Sequence, residues 1–154
     1  MLSRVANSIY WMARYLERAE NIARFVDVNL HLMLDSTVES EEQWEPLVIV
    51  SGDYEQFKEK YRVASKDNVI NFLTFDRDNP NSIISSVINA RENARSVREV
   101  ISSEMWTEVN TFYYILIDAE QSGLALGTPY NFYNKIYKHL GFGQLYPFNG
   151  GFLR

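Results

Sequence analysis

The sequence predicts an all-α protein: a helical bundle built on two long helices, about residues 3–35 and 82–118, with shorter covering helices. Two observations lead to this class. Apolar side chains recur at helical spacing through both long stretches, and neither Gly nor Pro interrupts the first. Helix breakers and capping residues gather between the periodic stretches, at 76–82, at Gly123 and Gly127, and from Gly141 onward. A chain of 154 residues builds one domain with a real core. We expect a single helical domain over 1–140 and an irregular Gly- and aromatic-rich tail over 141–154.

The first long helix repeats Val5, Ile9, Met12, Leu16, Ala19, Ala23, Val26, Leu30 and Leu34, with Ser3 placed to cap it. At about 1.5 Å per residue it forms a rod of roughly 48 Å. A rod of that length needs partner helices to cover its stripe. Opposite the stripe lie Asn7, Arg14, Glu17, Arg18, Asn21 and Arg24. Tyr10, Trp11, Phe25, Val28 and Leu32 fall on or near that same side. A solvated face has no need of them, so we expect contacts on two sides, with the charged middle partly enclosed by a second neighbour.

Residues 36–40 read as a polar connection. Residues 44–50 are apolar and stop at Ser51-Gly52, with Pro46 near a helix start; strand remains open for 47–50, a short β-branched run. Asp53 and Gln56 have the spacing of a capping box, and Tyr54, Phe57 and Tyr61 follow at helical intervals. A short helix over 67–75 carries Val69, Ile70, Phe72 and Leu73. Asp76-Arg77-Asp78-Asn79-Pro80-Asn81-Ser82 is the clearest loop. The second long helix then repeats Ile83, Val87, Ala90, Ala94, Val97, Ile101, Met105, Phe112 and Leu116. Gly123 and Gly127 bracket a turn, and Thr128-Pro129 starts a last helix that ends at Leu140, before Gly141.

Composition narrows the function classes. The net charge of −5 argues against general nucleic-acid binding. With no cysteine there are no disulfides, thiolate nucleophiles or cysteine metal sites. No signal-peptide pattern and no membrane-length apolar run is present, so a cytoplasmic protein is expected. Seven of the ten Arg fall in 3–35 and 82–118, which contain no Lys. Arg is the cation that forms fixed, partly buried pairs, so the bias points to structured ion pairing.

The foremost candidate site is therefore an arginine–carboxylate cluster. It takes Arg14, Glu17, Arg18, Glu20, Asn21 and Arg24 from the first helix, and Arg91, Glu92, Asn93, Arg95 and Arg98 from the second. Arg91, Arg95 and Arg98 share one line and call for an anion. Acids of the first helix can supply it, or a ligand's phosphate or carboxylate can. Asp27 and His31, one turn apart, offer too few ligands for a metal centre, and none is expected. Glu104 and Glu108 are spaced for acid–base chemistry, but a pairing or helix-edge role is the preferred reading. No nucleophile elbow, phosphate-cradling loop or dinucleotide fingerprint appears, and neither a catalytic residue nor a cofactor is assigned.

Leu2-Ser3-Arg4-Val5-Ala6-Asn7-Ser8-Ile9-Tyr10-Trp11-Met12, running into Arg14-Tyr15-Leu16-Glu17-Arg18-Ala19-Glu20-Asn21, resembles the bacterial alpha-E domain family. The blocks 76–83 and 90–98, with Ser103-Glu104-Met105-Trp106 and Asn110, continue the resemblance. It implies an all-helical fold of unknown biochemical function whose Glu-Arg motif falls on Glu17 and Arg18. It also implies bacterial, cytoplasmic company with ATP-grasp-type amide ligases and transglutaminase-like proteins. Members of that family are roughly twice as long, so the chain resembles a truncated or short form.

Together these readings give an expected function: a non-catalytic helical interaction module, accessory to an ATP-grasp-type amide ligase or peptide-modification system. The alternative is a substrate- or phosphate-binding component of a peptide-bond-forming enzyme, acting through the Arg/Glu cluster. Self-association through uncovered apolar surface is a third reading. Neither nucleic acid nor membrane is an expected partner.

Overall fold

The computed structural model describes residues 2–36, 41–123 and 129–140. These form seven helices and, among the described residues, no strand. They are α1 (Leu2–Met33), α2 (Glu41–Ser51), α3 (Tyr54–Tyr61), α4 (Lys66–Thr74), α5 (Ile83–Ser96), α6 (Ser103–Ser122) and α7 (Pro129–Leu140). The tail over 141–154 and the turn at Gly127 lie outside the described residues.

Four helices make an up-and-down bundle in which α1 packs on α5, α5 on α6, α6 on α7, and α7 back on α1. Cross-links fix the directions. The Ser96 hydroxyl donates to Ser8 at 3.1 Å, so the end of α5 meets the start of α1. Arg77, before α5, reaches Glu120 late in α6. The Tyr130 hydroxyl donates to the Leu30 carbonyl at 3.0 Å, placing the start of α7 beside the end of α1. The α1 stripe from Met12 to Leu30 is buried as its spacing requires.

The centre of the bundle holds small side chains. Ala19 and Ala23 on α1, and Ser86, Ala90 and Ala94 on α5, are at most 1% exposed. Helix axes approach only as closely as the side chains between them allow. Ala90→Leu is therefore expected to cost about 1–3 kcal/mol of folding stability by overpacking. Urea titration measures this, and an unchanged midpoint would show that α5 has room to spare.

Between α1 and α5 the chain builds a lobe from α2, α3 and α4, centred on Trp44, Phe57, Phe72 and Leu73, each at most 1% exposed. Phe57 meets Phe72 edge-on at 5.2 Å and stacks on Tyr61 at 5.2 Å. The Tyr54 hydroxyl donates to Glu45 at 2.6 Å and ties α3 to α2. A buried hydrogen bond between Thr74 and Tyr133 fastens the lobe to α7. Serines cap three helices: Ser65, Ser82 and Ser102 accept the backbone N–H of Asn68, Ser85 and Met105. Gly123 ends α6 in the left-handed conformation at φ 66°, where a side chain is strained.

Several local expectations are corrected. The second long helix is two helices, because the chain leaves α-geometry at Val97 (φ −122°, ψ 25°) and restarts behind the Ser102 cap. Val97 and Ile101 are nonetheless both buried, so the apolar stripe runs unbroken through a turn that is not helix. Residues 47–50 are helical, within α2, and Pro46 lies inside that helix. Asp53 precedes α3 but makes no side-chain cap; its carboxylate accepts from Asn81 at 2.9 Å instead. The α1 side expected to be enclosed is open, with Arg14, Glu17, Asn21 and Arg24 all exposed.

Candidate interaction face and polar cleft

On α1 the residues opposite the buried stripe form a continuous outward face. Tyr10 is 56% exposed, Trp11 40%, Phe25 43%, Val28 51% and Leu32 65%. Arg14, Glu17, Arg18, Asn21 and Arg24 lie between the two apolar ends. Arg14 donates to Glu17 at 2.9 Å, Arg24 donates to Glu20 at 2.7 Å, and the Arg18 guanidinium sits 5.5 Å from the Tyr15 ring centre. Glu17 and Arg18, on which the resemblance puts the Glu-Arg motif, thus turn to different neighbours on their own helix.

Arg91 and Arg95 on α5, with Arg98 in the turn that follows it, behave differently from the α1 set. Arg95 pairs with Glu92 at 2.7 Å on an exposed surface. Arg91 donates to the Asn110 amide oxygen at 2.7 Å and covers the Tyr113 ring at 4.4 Å. Arg98 lies 5.0 Å from the Trp106 ring centre. The Asn93 side chain donates back to the Asn89 carbonyl. Among the described residues no ion pair joins α1 to α5, so the eleven candidate residues divide into an α1 set and an α5–α6 set. The aromatic faces of α6 take the place of the acids expected opposite Arg91 and Arg98. Spacing on α5 alone could not reveal them.

A second constellation was not singled out from the sequence. Lys60, Tyr61, Asn71, Phe75, Asp76, Arg77, Asp78 and Glu120 line a cleft of about 490 Å³. Asp76 is at its centre, its side chain only 3% exposed. Its carboxylate accepts from Lys60 Nζ at 2.9 Å, from the Tyr61 hydroxyl at 2.9 Å and from the Asp78 backbone N–H at 3.0 Å. Lys60 also bonds Asp78 at 2.9 Å, and Asn71 donates to the Tyr61 hydroxyl at 2.7 Å. Arg77 grips both oxygens of Glu120 at 3.0 Å, closing the rim with a two-pronged pair. Burial opposes ionisation of Asp76, but the bonds from Lys60, Tyr61 and the Asp78 N–H outweigh it and hold its pKa below the usual carboxylate value. The bonds that Lys60 donates to the Asp76 and Asp78 carboxylates push its pKa up.

The loop over 76–82 is wired as densely as the cleft. Asn79 donates to the Phe72 carbonyl and accepts the Asn81 N–H, and Gln56 donates to the Asp78 carbonyl. Such side-chain-to-backbone bonds are what fit Asn and Asp to turns. The signal in the sequence was the loop's excess of Asx residues over what a plain connection needs. Its partners at 60, 61, 71 and 120 carried no spacing that could mark them.

The remaining candidates are placed simply. His31 Nδ1 lies 2.8 Å from the Asp27 carbonyl oxygen and 3.5 Å from its carboxylate. Among the described residues no group of three His, Cys, Asp or Glu side chains is arranged to hold a metal. Glu108 is partly exposed on α6, with His139 3.7 Å away, and Glu104 is exposed. None of the described helices is long and apolar enough to cross a membrane.

An antiparallel four-helix bundle with a three-helix lobe inserted after its first helix is the class these features define. The Alpha-E family, described as a predicted alpha-helical domain with a conserved ER motif, matches residues 1–141, and the chain belongs to it. An uncharacterized protein of Mycobacterium bovis is 28% identical over 117 residues, which cover 67% of this chain and 13% of that protein. Uncharacterized proteins from two Mycobacterium tuberculosis strains match at 28% and 27% with the same coverage. The chain therefore spans about 13% of the length of these curated relatives. No solved structure matches.

Proposed function

We propose that this Alpha-E chain is a helical docking module that engages a protein partner through the outward face of α1. The observation that carries the reading is the run of large apolar side chains, Tyr10, Trp11, Phe25, Val28 and Leu32, each at least 40% exposed on one helix. Isolated apolar residues are ordinary on a surface, whereas two apolar clusters on one helix face, Tyr10 with Trp11 and Phe25 with Val28 and Leu32, give a partner two anchors on either side of a charged middle. The resemblance to alpha-E proteins supports an ATP-grasp-type amide ligase as the partner and the cytoplasm as the place. The module's part in that company is to dock, and the ligase performs the chemistry.

Co-expression of the chain with the ATP-grasp ligase of the same genome tests this. The ligase is expected to co-purify, and Trp11→Glu with Phe25→Glu is expected to remove it. The double variant should lose little melting temperature, because neither side chain is part of the buried core, although Trp11 gives up its ring contacts with Tyr10 and Tyr15. Loss of binding with loss of folding, or retention unaffected by both changes, would count against α1 as the docking face.

One observation favours a second reading. Arg91 and Arg98 hold aromatic faces and no carboxylate among the described residues, so their charge remains available to an anion. An anion-binding role in peptide-bond formation predicts a rise in melting temperature with phosphate or ATP that Arg91→Gln abolishes.

A further inference from the structure

Resting on α1 as the docking face, we infer that its occupant is a single helix of the partner, apolar at both ends and acidic at its centre. The outward face has a period of its own. Trp11, Arg18, Phe25 and Leu32 stand seven residues apart, and Arg14, Asn21 and Val28 form the companion row three residues after the first three. Alternating steps of three and four give the seam along which one helix receives another. From Trp11 to Leu32 the seam runs about 32 Å at about 1.5 Å per residue, the length of a helix of roughly three heptads. A loop or a globular bump would not need that linear repeat.

The seam's chemistry specifies its occupant further. Its ends are Trp11 on one side and Phe25, Val28 and Leu32 on the other, all exposed. Its middle is Arg14, Arg18 and Asn21. No acid lies in the two rows, and the nearest, Glu17, is on the flank and holds Arg14 at 2.9 Å. This cationic patch is local, because the chain as a whole carries −5. A helix with Glu or Asp at its central seam positions and Leu or Ile at its ends satisfies both parts. A second copy of this chain satisfies the ends but not the middle, since it brings four seam arginines together with no seam acid. Polar residues within a seam set partner and register at a cost in stability, and Arg14, Arg18 and Asn21 have that position here.

The experiment uses two synthetic 24-residue peptides of one heptad pattern. Both have Leu at the terminal seam positions; one has Glu and the other Lys at the central ones. Binding to the full chain is followed by Trp fluorescence and by backbone NMR shifts along 10–32. The Glu peptide is expected to bind at least about tenfold more tightly than the Lys peptide, more weakly as salt rises, and to shift α1 resonances. Arg14→Glu with Arg18→Glu should reverse the preference in favour of the Lys peptide, a rescue that a misfolded variant cannot give. Equal binding of both peptides, binding of neither, or concentration-dependent dimerisation of the chain through α1 would overturn the inference. If neither peptide binds while Trp11→Glu with Phe25→Glu still releases the ligase, the docking face stands and only its helical, acidic occupant is refuted.

Discussion

Phe72→Ala is expected to cost about 3–5 kcal/mol of folding stability, the range for removing a buried aromatic ring. In a domain of this size each kcal/mol corresponds to about 2–4 °C, so the melting temperature should fall by roughly 6–20 °C. Phe72 is fully buried, with Phe57 edge-on at 5.2 Å and Tyr61 edge-on at 5.9 Å. Removing the ring leaves a void between α3 and α4 that a lobe this small cannot easily close. It also frees Tyr61, whose hydroxyl reaches Asp76, so the cleft should loosen with the core. Calorimetry measures the first effect. Amide exchange at Asp78, whose N–H is bonded to Asp76, measures the second. A loss under about 1 kcal/mol would mean that the lobe repacks around the missing ring.

The elements that sequence reading located are those whose signals are local. Ser82, at the end of the capping-rich loop, caps α5 because its hydroxyl reaches an N–H three residues on, which needs no knowledge of the fold. The stripe of α1 and the α4 core positions follow from a 3.6-residue period. The break between α5 and α6 was hidden for an equally local reason. Val97 and Ile101 keep the four-residue step of the stripe while the backbone between them turns, so periodicity reads continuous helix. The true signal was Ser102 after the β-branched Val100 and Ile101, a cap in mid-pattern.

Charge pairing was legible only within helices. Arg14–Glu17, Glu20–Arg24 and Glu92–Arg95 are neighbours by helix geometry. What lies across from a helix depends on its rotation in the bundle. That rotation gave Arg91 and Arg98 aromatic rings, and it gave the α1 apolar residues solvent. The Asp76 cleft was the least legible feature, because it draws on α3, α4, α6 and a loop at once.

Asp76→Asn tests that cleft most directly, and about 2–3 kcal/mol of stability is expected to be lost near neutral pH. The carboxylate accepts a bond from Lys60, one from Tyr61 and one from the Asp78 N–H, and bonds to a charged acceptor contribute about 1.5–3 kcal/mol each before the losses of burial. Asparagine keeps the shape and one acceptor oxygen but presents an amide donor where Lys60 or Tyr61 now donates. Lys60 is half exposed and keeps Asp78 as a partner, which caps the penalty. The pH dependence separates this network from a surface pair. With the folded pKa of Asp76 below its ordinary value of 3.8, its contribution is complete above that value and is lost as pH falls through the depressed one. With the folded pKa of Lys60 above its ordinary 10.5, its contribution is complete below 10.5 and is lost only as pH rises through the elevated one. Tyr61, raised by burial and by its bond to Asp76, fails in the same alkaline direction. Wild-type protein should therefore lose stability below about pH 4, and Asp76→Asn should flatten that acid slope, because the group that takes up the proton is gone. Urea midpoints across pH 2.5–7 measure both curves. An acid slope that survives Asp76→Asn unchanged would assign it to other carboxylates and reduce the cleft to an ordinary solvated pair.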